Sequence, residues 1–295
     1  MVEPSTSSTW HVRDKLCLVT GATNGIGKQT ALGLASQGAR VVVVARNRAK
    51  GDATVREISA ATSDRPVELL LCDFASQRSI RAAAAEVLAR FPAIHVLVNN
   101  AGVMNVRREV TEDGLEATFA VNHLGYFLFT TLLLDRIIAS APARIVSVAS
   151  DAHKFGAVDI DDLQNEHGYG AMRVYGQSKG CNLLFNAELA KRLEGTGVTT
   201  NAVHPGAVST GLGANHGSLL ALIQKVAMVF MKSPVAGADT SVYLATSPEV
   251  DGVSGGYFFK RKPRASTTQT RDPNLAAQLW TLSEALVADS AVTPS

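Results

Sequence analysis

Tyr175 and Lys179 stand four positions apart in the run Tyr175-Gly176-Gln177-Ser178-Lys179. On a helix that spacing puts both side chains on one face, so the Lys179 ammonium can sit beside the Tyr175 phenol and favour its ionised form. A free tyrosine, with a reference pKa of about 10, exchanges protons poorly at neutral pH, and a neighbouring cation draws it toward the working range. The second chemical feature is Thr20-Gly21-Ala22-Thr23-Asn24-Gly25-Ile26-Gly27, which follows an apolar run and opens a helical pattern. Backbone without Cβ lets a pyrophosphate come close to a helix N-terminus. A hydride carrier and a proton-exchanging residue in one chain imply redox between a carbonyl and an alcohol.

Both features need a scaffold, and the chain alternates apolar runs with helical patterns almost from its start. Strands are expected at residues 16–19, 41–45, 67–72, 95–98, 144–148, 198–203 and 256–259. Helices are expected at 26–37, 48–61 and 76–91, through most of 112–140, around Tyr175 and Lys179, and from 273 to about 288. Strands alternating with helices at these lengths give an α/β protein: a single-domain Rossmann fold, with a doubly wound, seven-stranded parallel sheet and helices on both faces. The domain is expected over 13–288, between a flexible tail at 1–12 and another at 289–295. A substrate lid is expected at about 211–233, where an apolar stretch at 219–231 is too short and interrupted to span a bilayer but long enough to touch one.

Composition narrows the function classes. Lys and Arg number 28 against 26 Asp and Glu, a formal net charge of +2, which makes no case for nucleic acid as a partner. The one dense basic run, Lys260-Arg261-Lys262-Pro263-Arg264, reads as a solvated loop. Three widely spaced cysteines, Cys17, Cys72 and Cys181, form no CxxC pair, and the seven histidines are scattered, so a reduced compartment and no catalytic metal are expected. With a polar N-terminus and no integral membrane span, a soluble, cytoplasmic protein is expected.

The end of the second strand bears on the dinucleotide. A carboxylate there would accept hydrogen bonds from an adenosine ribose 2′-hydroxyl, whereas an arginine would pair with a 2′-phosphate. The chain has Ala45-Arg46, which favours NADP(H), with Arg46 as the reader and Asn47 or Arg48 as helpers; the competing reading is a solvated loop cation.

The glycine spacing is Gly-x-x-x-Gly-x-Gly rather than Gly-x-Gly-x-x-Gly. With Asn99-Asn100-Ala101-Gly102 after the fourth strand, Ser150 after the fifth and Tyr175-x-x-x-Lys179 on the next helix, the chain resembles the short-chain dehydrogenase/reductase family over nearly its whole length. Val121-Asn122-His123-Leu124-Gly125, the segment 144–150, the 25-position gap from Ser150 to Tyr175 and the ending from Gly256 to Trp280 resemble its retinol-dehydrogenase-like branch. The resemblance implies Tyr175 as general acid or base, Ser150 bonding the substrate oxygen, Lys179 tuning Tyr175 and holding the nicotinamide ribose, and Asn122 steadying a water beside the lysine. It implies dinucleotide contacts from Gly21, Thr23, Asn24, Gly25, Ile26 and Gly27. Further contacts are implied at Asp73 and Phe74, at Asn100, Ala101 and Gly102, and at Pro205, Gly206, Val208 and Thr210. Asp73 is equally placed to cap the following turn, and Asn99 to tie strands together. His153, Phe155 and Tyr169 are expected to wall the pocket. The activity implied is NADP(H)-dependent interconversion of a ketone or aldehyde and an alcohol on a bulky apolar substrate, in a homodimer or homotetramer. The alternatives are an NAD-dependent secondary alcohol or steroid dehydrogenase and a non-catalytic dinucleotide sensor.

Overall fold

β1 (Leu16–Thr20) is buried at every position, as a central parallel strand covered on both faces must be. Its side chains divide by parity: Leu16 and Leu18 enter one core, Cys17 and Val19 the other. In a computed structural model, which describes residues 10–62, 66–206 and 233–288, the other strands are β2 (Arg40–Ala45), β3 (Val67–Leu71), β4 (Val96–Asn99), β5 (Ala143–Val148), β6 (Val198–His204), β7 (Tyr257–Phe259) and β8 (Lys262–Pro263). They form one sheet in the order β3-β2-β1-β4-β5-β6-β7-β8. β1 to β7 are parallel, and the two-residue β8 returns antiparallel through Lys260 and Arg261, both at positive φ. Eight strands therefore stand where the apolar pattern gave seven. Lys262-Pro263 is too short and too exposed to carry a periodicity.

One face is covered by α1 (Gly25–Ser36), α2 (Arg48–Ala61) and α7 (Pro234–Thr246). The other carries α3 (Gln77–Arg90), α5 (Gly125–Ala139), α6 (Ala171–Arg192) and α8 (Pro273–Val287). α5 continues a short α4 (Ala117–Phe119) through a π-helical turn, Ala120–Leu124. Helix begins at Ala117 rather than near 112 because the fully buried Glu116 carboxylate caps it, accepting from Thr118 N at 2.8 Å and Phe119 N at 2.7 Å. Ala117–Ala139 is long and apolar enough to cross a bilayer, but 78% of its most apolar window is buried inside the protein, as in a core helix.

The expected N-terminal tail is corrected over residues 10–12. Trp10 and Val12 are buried, and Trp10 Nε1 donates to the Ala245 carbonyl at 2.8 Å while its ring lies 4.4 Å from the Arg144 guanidinium. An indole with both a stacking cation and a hydrogen-bond acceptor is held in the domain. The lid expected at 211–233 lies outside the described residues except for Ser233, which caps α7.

Because β1 and β4 are neighbours while the chain runs outward from each in opposite directions, the sheet has its topological switch between them. Ligands of open α/β folds bind outside the carboxyl ends of the strands at that crevice. Every chemical residue described below lies at that edge.

Candidate active site

The glycine turn is built to leave the first turn of α1 accessible. Gly21 has φ +63°, and a Cβ on it would lie 2.7 Å from Ala101 Cα. A Cβ on Gly27 would run into Asn100 Nδ2 and the Gly21 carbonyl. The turn is riveted to the end of β4: Thr20 Oγ1 accepts from Asn100 N at 2.8 Å and Ala101 N at 2.9 Å, and Asn100 Nδ2 donates to the Thr20 carbonyl at 2.8 Å. The side chain of Asn24, the α1 N-cap, makes no capping bond, and the first turn holds no acidic residue. First-turn amides have no partner within their own helix, and the positive end of the helix dipole favours an anion there. This cradle fits a dinucleotide pyrophosphate. Gly27→Ala is expected to push the turn off Asn100, weakening dinucleotide binding at least tenfold and destabilising the fold by about 1–3 kcal/mol. Fluorescence titration and thermal melts would show both.

Arg46, directly after β2, is exposed and makes no hydrogen bond or ion pair among the described residues. Asn47 Oδ1 caps α2, accepting from Lys50 N at 3.0 Å, and the first turn of α2 carries no acidic residue. At the end of β3, Asp73 Oδ1 accepts from Ala75 N at 2.9 Å, which is the capping alternative. Phe74 turns its ring into the core, 5.6 Å from Phe129 and against Gly125. A dinucleotide contact at Phe74 is thus left to its backbone. Pro205 and Gly206 follow β6 at the same edge, whereas Val208 and Thr210 lie outside the described residues.

Ser150 follows β5 and starts a 3-10 turn, Asp151–Lys154, with its Oγ accepting from Ala152 N at 3.1 Å. Tyr175, on α6, is half-buried. Burial pushes its phenol up to about 12, while the neighbouring Ser150 hydroxyl pulls the other way. Lys179 is buried, and burial pushes its ammonium down to about 7. Its Nζ donates to the Val148 carbonyl at 3.0 Å and lies 5.5 Å from the Tyr175 ring centroid. The i,i+4 spacing thus does bring the pair together. The expected lowering of the tyrosine is not met, because the ammonium turns to a β5 carbonyl and desolvation dominates both groups.

Asn122 lies in the π-helical turn, and both amide hydrogens and the carbonyl oxygen of its side chain are engaged. Oδ1 accepts from Val103 N at 2.8 Å, and Nδ2 donates to the Val103 carbonyl and to Ser178 Oγ, each at 2.9 Å. It thereby ties the loop after β4 to α6, one residue from Lys179. A Cβ on Gly102 would lie 3.3 Å from Asn122 Oδ1 and 3.8 Å from Lys179 Nζ, so the three elements meet at that glycine. Asn99 donates to Thr130 Oγ1 of α5 at 2.9 Å, so it ties β4 to a helix rather than to a neighbouring strand.

Of the three expected wall residues, only Phe155 is open, at 68% exposure. His153 is buried, with Nδ1 2.7 Å from the Ser150 carbonyl, and Tyr169 is anchored by its hydroxyl to the Asn105 carbonyl at 3.1 Å. Sequence reasoning missed the polar support behind Ser150, since its members lie far apart in the chain. Asp151 accepts from the Tyr257 hydroxyl at 2.9 Å and pairs with Arg264 at 2.6 Å. Burial works against the Asp151 carboxylate, but the Tyr257 hydrogen bond and the His204, Arg264 and Lys154 charges hold it below its ordinary value. It missed Tyr126 as well, a fully buried α5 residue beside Lys179. Two cavities of about 440 and 600 Å³ among the described residues are not lined by Ser150, Tyr175 or Lys179.

A parallel sheet with this switch point, a pyrophosphate cradle, and a hydroxyl, phenol and amine at one edge define a dinucleotide-linked oxidoreductase site. The chain belongs to the short-chain dehydrogenase family, whose model, described as short chain dehydrogenase, matches residues 15–219. Among its relatives, human retinol dehydrogenase 14 is 45% identical over 289 residues, covering 92% of this chain and 86% of that protein. Mouse retinol dehydrogenase 12 is 44% identical over 269 residues, covering 91% and 85%. The crystal structure of an uncharacterised protein from Mycobacterium paratuberculosis matches with a TM-score of 0.76 at 31% identity, over 95% of this chain and 96% of that one. A short chain dehydrogenase from Escherichia coli CFT073, solved with NADPH, shares the fold, with a TM-score of 0.66 at 20% identity over 85% and 98%. The chain is a retinol-dehydrogenase-like oxidoreductase working between carbonyl and alcohol.

Proposed function

We propose that the protein uses NADP(H) to reduce ketones or aldehydes on bulky apolar molecules, with Tyr175 as the general acid. The observation that carries this reading is the neighbouring Ser150 hydroxyl and Tyr175 phenol at the carboxyl edge of the sheet, with the phenol held in its protonated form by burial. A bound reduced nicotinamide would supply hydride to the carbonyl carbon. Ser150 Oγ donates a hydrogen bond to the carbonyl oxygen, which orients it and stabilises the charge that develops there. Tyr175 Oη passes its proton to the same oxygen, so the product leaves as an alcohol. Lys179 has N–H groups beyond the one given to Val148, and these suit the nicotinamide ribose hydroxyls.

NADP(H) is favoured by Arg46, an exposed cation without a partner among the described residues, next to a helix start that carries no carboxylate. Arg46→Asp is expected to weaken NADPH binding roughly 10- to 100-fold, the worth of a charge-assisted phosphate contact, and to bring NADH level with it or ahead. Equal NADPH affinity in wild type and variant would sink the cofactor assignment.

The apolar substrate is supported by exposed apolar side chains near the reacting residues in sequence and in the loop after β4. Phe155, five positions after Ser150, and Met172, three before Tyr175, are 68% and 49% exposed, and Val106 and Val110 in the loop after β4 are 36% and 53% exposed. Following NADPH oxidation over a panel of short aldehydes, aromatic ketones, retinoids and steroids tests the whole reading. Turnover confined to short, polar carbonyls would overturn the substrate class.

A further inference from the structure

Lys179 Nζ is flanked by two tyrosine rings. Tyr175 comes from its own helix, with the ring centroid at 5.5 Å, and Tyr126 from α5, at 5.6 Å. Both distances lie within the range at which a cation is drawn to an aromatic face. Tyr126 is completely buried, and its hydroxyl has no hydrogen-bond partner among the described residues. A buried hydroxyl without a partner costs on the order of 1–3 kcal/mol, so the hydroxyl does not explain why an aromatic ring stands there. The ring packs in the apolar core and at the same time lies over the ammonium.

We propose that Tyr126 is a positioning residue for Lys179, using its ring face to hold the amine charged and in place between α5 and the Val148 carbonyl. The inference rests on the reading of Lys179 as part of the reacting group. Among the described residues, the titratable groups set against the amine are Tyr175 on α6 and Tyr126 on α5. β5 contributes the Val148 carbonyl, and the π-helical turn and the loop after β4 contribute only uncharged Asn122 and Gly102. Burial drives Lys179 toward its neutral form, and no carboxylate nearby opposes this. The π-face of Tyr126 is a buried counterweight that needs no second charge. An ammonium over a desolvated ring gains up to about 2 kcal/mol, the scale of one pKa unit or slightly more.

The test separates ring from hydroxyl. Tyr126→Phe keeps the face and removes the hydroxyl, and is expected to leave the Lys179 titration unchanged. Placing phenylalanines of increasing fluorine content at position 126 then weakens the face while preserving shape, so the variants fold. Lys179 is titrated by NMR in the full-length protein, its signal identified by its loss in Lys179→Arg. Its pKa is expected to fall stepwise with fluorine number, on the order of one pH unit across the series. The alkaline limb of the reduction rate should move down with it. A flat titration across the series overturns the proposal. The NMR reading needs no substrate, so a wild-type enzyme inactive on every carbonyl tried would refute the reductase reading and leave this one to be decided separately.

Discussion

Replacing Tyr175 with Phe is expected to slow carbonyl reduction roughly 100- to 10,000-fold while dinucleotide affinity changes little, because the variant lacks the hydroxyl proposed to hand a proton to the reacting oxygen. The ring is kept, so its packing and its approach to Lys179 are kept. Substrate binding loses at most one hydrogen bond, which separates the effect on kcat from that on KM. The pH dependence of the wild type follows from burial of the phenol. With Tyr175 pushed up to about 12, the proton needed for reduction is present throughout the neutral range. The oxidative direction needs the phenolate, whose population rises tenfold for each pH unit below that value. Alcohol oxidation should therefore accelerate steeply with pH, while the phenol itself imposes no loss on reduction. Parallel profiles for the two directions, or a Tyr175→Phe enzyme within tenfold of wild type, would remove Tyr175 from the chemistry.

Lys179→Met is expected to abolish turnover and yet yield a more stable protein. The buried ammonium is pushed from its ordinary 10.5 down to about 7, so the folded state holds the charge less readily than the unfolded chain does. Between those two values the unfolded state binds more protons, and the stability contributed by this site rises with pH. The folding penalty is fully present below about pH 7, shrinks across the interval and is gone above 10.5. Methionine fills the same space without a charge. After allowance for the lost bond to Val148, a gain of about 2 kcal/mol at neutral pH, or several degrees of Tm, is reasonable. Thermal melts of both proteins from pH 6 to 10 check the sign: the advantage of the variant should narrow as pH rises. A variant less stable than wild type at pH 6 would mean that burying the charged lysine carries no net folding penalty.

Much of this was legible in the chain because each strand carries its own signature. The continuous run Leu16-Cys17-Leu18-Val19 and the valines of β2 are buried on both faces, as apolar runs in a parallel sheet must be. Glycine spacing, Ser150, Tyr175 and Lys179 are local patterns, and the fold places them at one edge as expected. What escaped was contact between residues distant in sequence. Nothing in Leu124-Gly125-Tyr126 announces that the tyrosine ring meets an amine 53 positions later. The π-helical turn holding Asn122 reads as ordinary helix, because residues 120–130 are buried all round and offer no one-sided pattern for an inserted residue to shift. Likewise the direction of the pKa shifts depends on how deeply α6 sits against β5, which periodicity does not report.

α8 has a consequence for biosynthesis. Trp280 stacks on Phe185 of α6 at 5.8 Å and meets Phe127 of α5 edge-on at 4.9 Å, and Ser283 Oγ lies 2.8 Å from Nε2 of His123, next to Asn122. The residues that brace the π-helical turn from behind therefore come about a hundred positions after Lys179 in the chain. A nascent chain that has already emerged through Lys179 possesses every reacting side chain and still lacks the strut that sets them in register. Competence arrives only when α8 clears the ribosome, so a message truncated ahead of Pro273 encodes the chemistry without the means to align it.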